Sequence, residues 1–250
     1  MMTTGTIRQD FSPDKDPHAL YAFIESGKWG LVTLSGEVLL PAQYDSILET
    51  RSNDGYYLIV NDYFVEFHKK KYKRQHIGLV NSKGEVLITP KYYSFDLSYD
   101  NRFATVRDDN LRYGVIDLQE RVIIPFGKYK YIDVFCYGLS RVARQLINGN
   151  STKDLWGIVD TSGTEVLPVI YDKVWNFKVK GRVDTLIFKD QIVKRFVLAS
   201  HVIVDCPDSI VQELNKREEA KRNSAIISVK PSECDYLKPI QILNIDSKKL

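Results

Sequence analysis

The sequence predicts an all-β protein made of tandem antiparallel β-meander repeats, with one C-terminal α-helix. Three observations support this prediction. A strand–turn–strand pattern occurs four times in 250 residues, tyrosine (15) and phenylalanine (11) are abundant, and a helical pattern of apolar residues begins only after residue 205. Repeats with a period of about 20–50 residues are typical of propellers and stacked arrays. Both a propeller-like ring and an open stacked array therefore remain compatible with the sequence.

Each repeat starts with a large apolar or aromatic residue, a glycine and two aliphatic residues, and then continues through a polar turn into a second apolar run. Short aliphatic runs favour half-buried strands, so each copy predicts a β-hairpin. The glycine is expected to let a neighbouring ring or backbone approach closely. A proline follows each hairpin, and its missing N–H predicts a strand end. The repeat glycines and prolines are Gly30, Gly78, Gly114 and Gly157, and Pro41, Pro90, Pro125 and Pro168.

The turns within the hairpins begin with Asp or Asn and end with glycine in the best copies, as in Asp160–Gly163 and Asn81–Gly84. This is the preference of a type I turn closed by a left-handed residue. Glu120 occupies the glycine position of the third copy. A left-handed Glu costs about 1 kcal/mol, so a different turn is expected there. The recurring Asp117 and Asp160 are interpreted as turn residues rather than catalytic ones.

A further strand precedes each hairpin, at residues 21–24, 56–60, 103–106 and 138–144. Each unit is therefore a meander of three strands, or of four if residues 44–47 and 171–174 also pair within it. Residues 185–204 repeat the shape without Trp-Gly and predict a degenerate fifth unit, since terminal repeats often cap an array. The predicted repeat domain is residues 1–204, of which the first 18 form a polar lead-in.

The composition changes at Asp205, and residues 205–250 are predicted to form a C-terminal helix and tail. Ile210, Val211 and Leu214 lie at helical spacing, which predicts a helix over about residues 207–222. Its second half is almost entirely charged, so only the first turns are expected to pack. The tail from residue 224 is expected either to pair residues 240–243 with a sheet edge or to be partly disordered.

The largest insertion lies between the first two repeats and contains a strand-like alternation at residues 63–67. A basic run follows it, made of Lys69, Lys70, Lys71, Lys73 and Arg74. One interpretation is a patch that binds phosphates or an acidic partner. The other is a solvated loop tip, or an edge strand that lysines protect from unwanted pairing. The basic run is thus the candidate partner-binding segment.

The tryptophans also allow two interpretations. Trp29 and Trp156 precede repeat glycines, and Trp175 follows the fourth repeat. Exposed rings would form a platform on which sugars stack, whereas buried rings would belong to the core. Their solvent exposure therefore distinguishes a carbohydrate-binding module from a structural role.

The sequence shows none of the common catalytic, phosphate-binding or dinucleotide-binding motifs. Its four histidines and three cysteines have no metal-ligand spacing, so no metal or cofactor is predicted. A carboxylate pair of the kind used in glycoside hydrolysis stays open, because such a pair assembles only in the fold. A net charge of +3 argues against a dedicated nucleic-acid binder. Without a secretory signal or a membrane-spanning stretch, a cytoplasmic protein is expected.

The complete pattern resembles the WG repeat family of bacteria, also called KWG. The segments Lys28–Val32 and Leu155–Asp160 match it best, and they are followed by Tyr44-Asp45 and Tyr171-Asp172. Units two and three depart from it, with Ile77 and Tyr113 at the tryptophan position. The resemblance implies a β-rich protein that serves recognition rather than catalysis. We therefore expect a non-enzymatic scaffold that binds an unknown protein partner, with a carbohydrate- or cell-wall-binding module as the alternative.

Overall fold

The computed structural model describes residues 20–50, 55–149, 151–179 and 182–223. The predicted lead-in and the tail from residue 224 lie outside these ranges. The first three sheets contain the strands β1 (Leu20–Glu25), β2 (Lys28–Thr33) and β3 (Val38–Tyr44); β4 (Ser46–Glu49), β5 (Tyr56–Phe67), β6 (Lys70–Asn81) and β7 (Val86–Tyr92); and β8 (Ser94–Leu97), β9 (Phe103–Arg107), β10 (Tyr113–Asp117) and β11 (Val122–Ile124). The last two contain β12 (Tyr131–Ile132), β13 (Leu139–Asn148), β14 (Ser151–Asp160) and β15 (Glu165–Tyr171); and β16 (Lys173–Val179), β17 (Arg182–Lys189), β18 (Ile192–Val197) and β19 (Val202–Asp205).

Every sheet is an antiparallel meander in which strands that follow one another in sequence lie side by side. The predicted all-β repeat fold is confirmed, including the fifth unit. The grouping of strands differs in one respect from the four-strand alternative. Residues 46–49 and 173–179 do not complete the preceding unit, because β4 pairs with β5 and β16 pairs with β17. Each of these strands therefore begins the next sheet.

A single residue marks each of these junctions between sheets. The backbone N–H of Asp45 donates to the carbonyl oxygen of Val60 at 2.9 Å, and that of Asp172 donates to Phe188 at 2.8 Å. The acceptor lies in the second strand of the following sheet in both cases. The residue that follows the last strand of one sheet therefore already forms a backbone hydrogen bond with the next sheet. The sequence pattern did not reveal this position of the junction.

The sheets pack face to face in chain order, and an apolar cluster fills each interface. Leu31 of β2 and Ile59 of β5 belong to the cluster between the first two sheets, and Ile158 and Ile187 to that between the last two. Within the described part of the chain, no core cluster joins the first sheet to the last. Of the two predicted arrangements, closure into a ring is thus not observed there.

The helix α1 (Asp208–Asn223) covers the outer face of the fifth sheet, close to the predicted range. Ile210 and Leu214 of the helix are buried and pack with Leu186 of β17. The first turns of the helix therefore pack against the sheet, as predicted. The described residues include no helix that is both long and apolar enough to cross a membrane.

The repeat prolines correct one prediction. Pro41, Pro90 and Pro168 lie inside β3, β7 and β15 rather than at strand ends, whereas Pro125 does follow the end of β11. Each of the three lies opposite a repeat glycine, at a bulge where the register shifts. A bulge on the last strand of a sheet tolerates a residue without an N–H, so proline marks the bulge and not the strand end.

The third turn corrects another prediction. Glu120 has a φ of 61°, in the same left-handed region as Gly84 at 78° and Gly163 at 80°. Its N–H donates to Asp117 over 3.0 Å, which matches the corresponding bond of the other turns. The third hairpin therefore uses the same turn, and an ion pair between Glu120 and Lys91 of the preceding sheet helps to offset the strain.

Candidate functional site

The repeat glycines are structural, as their pattern predicts. A Cβ atom on Gly30, Gly78 or Gly157 would lie within 2.5 Å of a backbone carbonyl oxygen of the neighbouring strand. On Gly114 it would lie 2.9 Å from the ring of Phe126. Only a glycine permits these approaches without a shift of the neighbour, so these positions form part of the fold and not of a binding site.

The three tryptophans are half-buried and pack against core clusters. Trp29 contacts the core between the first two sheets, and Trp156 the core between the last two. The edge of Trp156 also meets Tyr131, with ring centroids 5.7 Å apart. The Lys173 ammonium lies 4.2 Å from the ring centroid of Trp175. None of the three therefore presents an isolated, open ring.

The recurring turn aspartates accept hydrogen bonds from the backbone of their own turns. Oδ1 of Asp160 accepts from the N–H groups of Ser162 and Thr164 at 2.9 and 3.0 Å. Desolvation acts to raise the pKa of Asp160, but these bonds and that from the Ser162 hydroxyl outweigh it and lower the pKa. Asn81 makes the same two backbone bonds in the second unit. An amide suffices at this position, which identifies the aspartates as turn residues.

Metal-binding and thiol chemistry find no support in the described residues. They contain no group of three or more His, Cys, Asp or Glu side chains that could hold a metal ion. Cys136 is exposed and Cys206 is partly buried, and neither forms a disulfide. Cys234 lies outside the described residues.

The insertion between the first two repeats forms a projecting hairpin, here called the first arm (residues 61–76). It is the outer half of β5 and β6. The adjoining strands stop before it, because β4 reaches β5 only at Val60 and β7 reaches β6 only at Ile77. Within the arm the two strands pair only with each other, around a turn at His68 and Lys69. The predicted loop is thus a long ribbon with two open edges.

The basic run is divided by this ribbon. Directly opposed residues share a face, and successive residues along a strand lie on opposite faces. Lys70 and Arg74 therefore lie on one face, Lys71 and Lys73 on the other, and Lys69 at the tip. Lys73 forms a 2.6 Å ion pair with Asp62, a residue of the paired strand. The five cations surround the arm and do not form one flat patch.

Large apolar side chains accompany these cations. The exposed fractions of Phe64 and Phe67 are 65% and 62%, and that of Tyr72 is 46%. Sequence reasoning treated this stretch only as a strand next to a basic run. The signal that it overlooked is the alternation of aromatic residues beyond the point where the repeat pattern has ended.

The base of the first arm is attached to the third sheet. The Tyr63 hydroxyl donates to Oδ1 of Asp109 at 3.1 Å, and Nε2 of His76 lies 2.9 Å from the same oxygen. The Tyr63 and His76 rings stack with centroids 4.2 Å apart. Asp109 belongs to the turn between β9 and β10, and the hydrogen bond from His76 is the main cause that lowers its pKa.

A cleft lies beside the attached base. Its volume is about 380 Å³, and it is lined by Lys73, Arg74, Gln75 and Tyr93. The Arg74 guanidinium lies over the Tyr93 ring at 5.4 Å, and that of Arg107 lies over the same ring at 5.2 Å. The cleft is therefore bordered by the open edge of β6 and by cations.

A second arm consists of residues 144–149 and 151–155, the outer half of β13 and β14. Here too the adjoining strands stop early, since β12 reaches β13 only at Ala143 and β15 reaches β14 only at Trp156. Leu146 and Ile147 are exposed on this arm. Sequence reasoning did not identify the second arm as a candidate site.

A cavity of about 620 Å³ lies between the fourth and fifth sheets. The ion pair between Arg141 and Asp133 lies in its wall, and Arg141 also donates to the carbonyl oxygen of Val174. Tyr137, which is almost fully exposed and has a φ of 51°, stands at its rim. The charged groups in the cavity wall, Arg141 and Asp133, are thus paired with each other, and Arg141 links the fourth sheet to the fifth.

Comparison with known proteins gives one family. The model described as "WG containing repeat" matches residues 29–63, 77–111, 113–143 and 156–183, together just over half of the chain. The two longest stretches between matches, residues 64–76 and 144–155, correspond closely to the two arms. The arms are therefore additions to the repeat.

No curated protein matches the chain. Among solved structures, "Crystal structure of the tricorn protease" covers 72% of this chain, at 13% sequence identity and a TM-score of 0.34. The chain spans about a quarter (24%) of that protein. The four repeat matches, together with five meander sheets and their repeat glycines, show that the chain belongs to the WG-containing repeat family.

Proposed function

We propose that this protein is a non-enzymatic scaffold for protein–protein interaction whose two arms contact the partner. The supporting observation is the exposure of large apolar side chains on ribbons that project beyond the sheets. Phe64, Phe67 and Ile147 are each more than 60% exposed. Apolar groups concentrated on a projecting surface are typical of interaction sites.

The family comparison supports the same assignment. Residues 64–76 and 144–155 lie between the matched repeats, so the stack of sheets can be maintained without them. Segments that a scaffold tolerates as insertions commonly carry the function of an individual protein. The proposed roles are therefore separate: the repeats supply a rigid frame, and the arms supply recognition.

Carbohydrate binding is the weaker candidate. The sequence offered Trp29, Trp156 and Trp175 as the stacking platform, and all three are half-buried against core clusters. Enzymatic activity has no candidate constellation among the described residues. The aspartates Asp160, Asp117 and Asp45 lie in turns and ion pairs, and the hydrogen bonds that they accept there lower their pKa values.

Site-specific photo-crosslinking tests the proposal. A photoreactive phenylalanine analogue replaces Phe64 or Ile147 in the full chain, and the control replaces Ile192, an equally exposed residue of the fifth sheet. The proteins are irradiated in lysate of the source cells. We expect discrete protein adducts from the arm positions and none from Ile192.

Three results would count against the proposal. Adducts of equal yield from Ile192 would indicate non-selective capture. The absence of any adduct from both arms would remove the support for partner binding. Turnover of a small molecule by the purified chain, unchanged when Phe64 and Ile147 are replaced by serine, would contradict a non-enzymatic role.

A further inference from the structure

We propose that the open edge of the first arm binds an extended acidic segment of a partner protein, which adds to β6 as a further strand. This inference rests on the proposed function and specifies the class of partner. It follows from three features of the arm: the unpaired backbone of β6, the charge of that strand, and the cleft beside it.

The backbone of β6 provides the first argument. His68 and Lys69 have φ values of 49° and 61°, which is the conformation of a two-residue type I′ turn. The residues that flank such a turn, Phe67 and Lys70, pair directly. A flanking pair of this kind exchanges both hydrogen bonds, and the pattern then alternates along the ribbon.

It follows that Lys71, Lys73 and Gln75 direct their N–H and C=O groups away from β5. Among the described residues no strand pairs with this edge, since β7 begins its contact at Ile77. These three alternating residues can form backbone hydrogen bonds with an added strand of about six residues. An edge of this kind is a template for pairing with another chain.

The charge of the strand selects the occupant. The outer half of β6 carries Lys70, Lys71, Lys73 and Arg74 and no acidic residue. A second copy of the chain pairing along the same edge would place these cations beside one another, which is unfavourable. An acidic segment would instead place its carboxylates next to them. No ion pair among the described residues involves Lys70 or Lys71.

The surroundings of the edge favour a polypeptide over a nucleic acid. The outward N–H and C=O groups alternate, which matches a peptide backbone and not a row of phosphates. Tyr72 lies between the cations on one face of β6 and can receive an apolar side chain of the added strand. The cleft at Lys73, Arg74, Gln75 and Tyr93 gives the strand room beside the edge.

The test uses the isotopically labelled full chain and a seven-residue capped peptide in which glutamate alternates with valine or phenylalanine. Amide hydrogen exchange is measured by nuclear magnetic resonance with and without the peptide. We expect exchange at Lys71, Lys73 and Gln75 to slow by about tenfold or more, because their N–H groups acquire acceptors. Exchange at Tyr72 and Arg74, which already face β5, should change little.

Two variants of the experiment separate strand addition from simple charge attraction. The same peptide with every backbone amide N-methylated keeps its charge but cannot donate hydrogen bonds from either edge, and it should give no protection. Lys71→Glu combined with Lys73→Glu should weaken binding by about tenfold or more. The matched control, Lys83→Glu with Lys189→Glu, changes two exposed lysines away from the arm and should bind like the unmodified chain.

The remaining outcomes overturn the inference. Equal binding of the methylated peptide would mean that charge alone acts. Displacement of the peptide by oligothymidine at lower concentration would indicate a nucleic-acid site. If the peptide protects nothing while Phe64 still crosslinks to a protein, strand addition is wrong and the proposed function stands. If the peptide protects nothing and neither arm crosslinks to a protein, both the strand addition and the proposed function are wrong.

Discussion

The β5–β6 hairpin has two halves that follow the same pairing under different constraints. Its inner half includes Leu58–Val60 of β5 and Gly78–Val80 of β6, which are buried between the neighbouring sheets. Its outer half, the first arm, continues the same ladder of pairs into solvent. The comparison shows that strand pairing fixes the register throughout the hairpin. Packing against the neighbouring sheets restricts the residue types only in the inner half. The inner half therefore keeps the repeat pattern, and the outer half is free to carry charge and exposed aromatic rings.

The largest difference is expected between two residues of the same strand. Ile59→Ala, in the inner half of β5, leaves a cavity between two sheets and should lower the free energy of unfolding by about 2–5 kcal/mol. Phe64→Ala, five residues further along, should change it by about 0.5 kcal/mol or less, because its side chain is exposed. Denaturant unfolding of both variants measures this. Similar losses would show that the arm is part of the folding core.

A glycine pair sharpens the comparison at the level of the backbone. Gly78→Ala places a Cβ atom 2.3 Å from the carbonyl oxygen of Ile88, and should destabilise the protein by about 1–3 kcal/mol. Gly36→Ala has open space around it and meets only the strain of a φ of 91°, about 1 kcal/mol. Thermal unfolding of the two variants compares them. If Gly36→Ala is the more harmful, backbone strain at this turn costs more stability than the close approach at the repeat glycine Gly78.

The smallest effect is expected at the junction of the two halves. Asp109→Asn weakens the attachment of Tyr63 and His76, and should speed amide exchange in the first arm by up to about fivefold at pH 7, since the pair is exposed. Because the folded-state pKa of Asp109 is lowered, its contribution is present above its unfolded pKa and is lost as the pH falls through the folded value.

The difference in exchange between the unmodified protein and the variant should accordingly begin to shrink only below about pH 4 and vanish below the lowered folded-state pKa. Asp190→Asn, in an exposed turn of the fifth sheet, serves as the control and should leave the arm unchanged. A difference between Asp109→Asn and the unmodified protein that does not shrink at any pH below 4 at which the protein stays folded would exclude the carboxylate as its cause.

Most of what the sequence predicted correctly is local. Glycine, Asp and Asn at fixed turn positions and the aliphatic runs beside them identified the hairpins. The spacing of Ile210 and Leu214 identified the buried side of α1. Each of these signals depends on residues within a few positions of one another, so no knowledge of distant contacts was needed.

The wrong predictions involve residues whose partners lie elsewhere in the fold. The assignment of Pro41 to a strand end was wrong. The bulge opposite Gly30 that accommodates this proline depends on the register of another strand, which the sequence does not show. The expectation that Glu120 avoids a left-handed conformation was also wrong. Its ion partner, Lys91, belongs to another sheet, and the sequence pattern does not reveal this contact. The sequence left open whether the basic run is a binding patch or a protected loop or edge strand, and its division between two faces could not be predicted, because it follows from pairing with β5.

The sequence alone therefore determined the repeating hairpin, the number of units and the terminal helix, since turn chemistry and side-chain periodicity act over short distances. The tertiary structure decided where one sheet ends and the next begins. Each matched repeat supplies the last strands of one sheet and the first strands of the following one. It also decided that two hairpins extend past their neighbours, because only the length of the adjoining strands determines which part of a hairpin remains exposed.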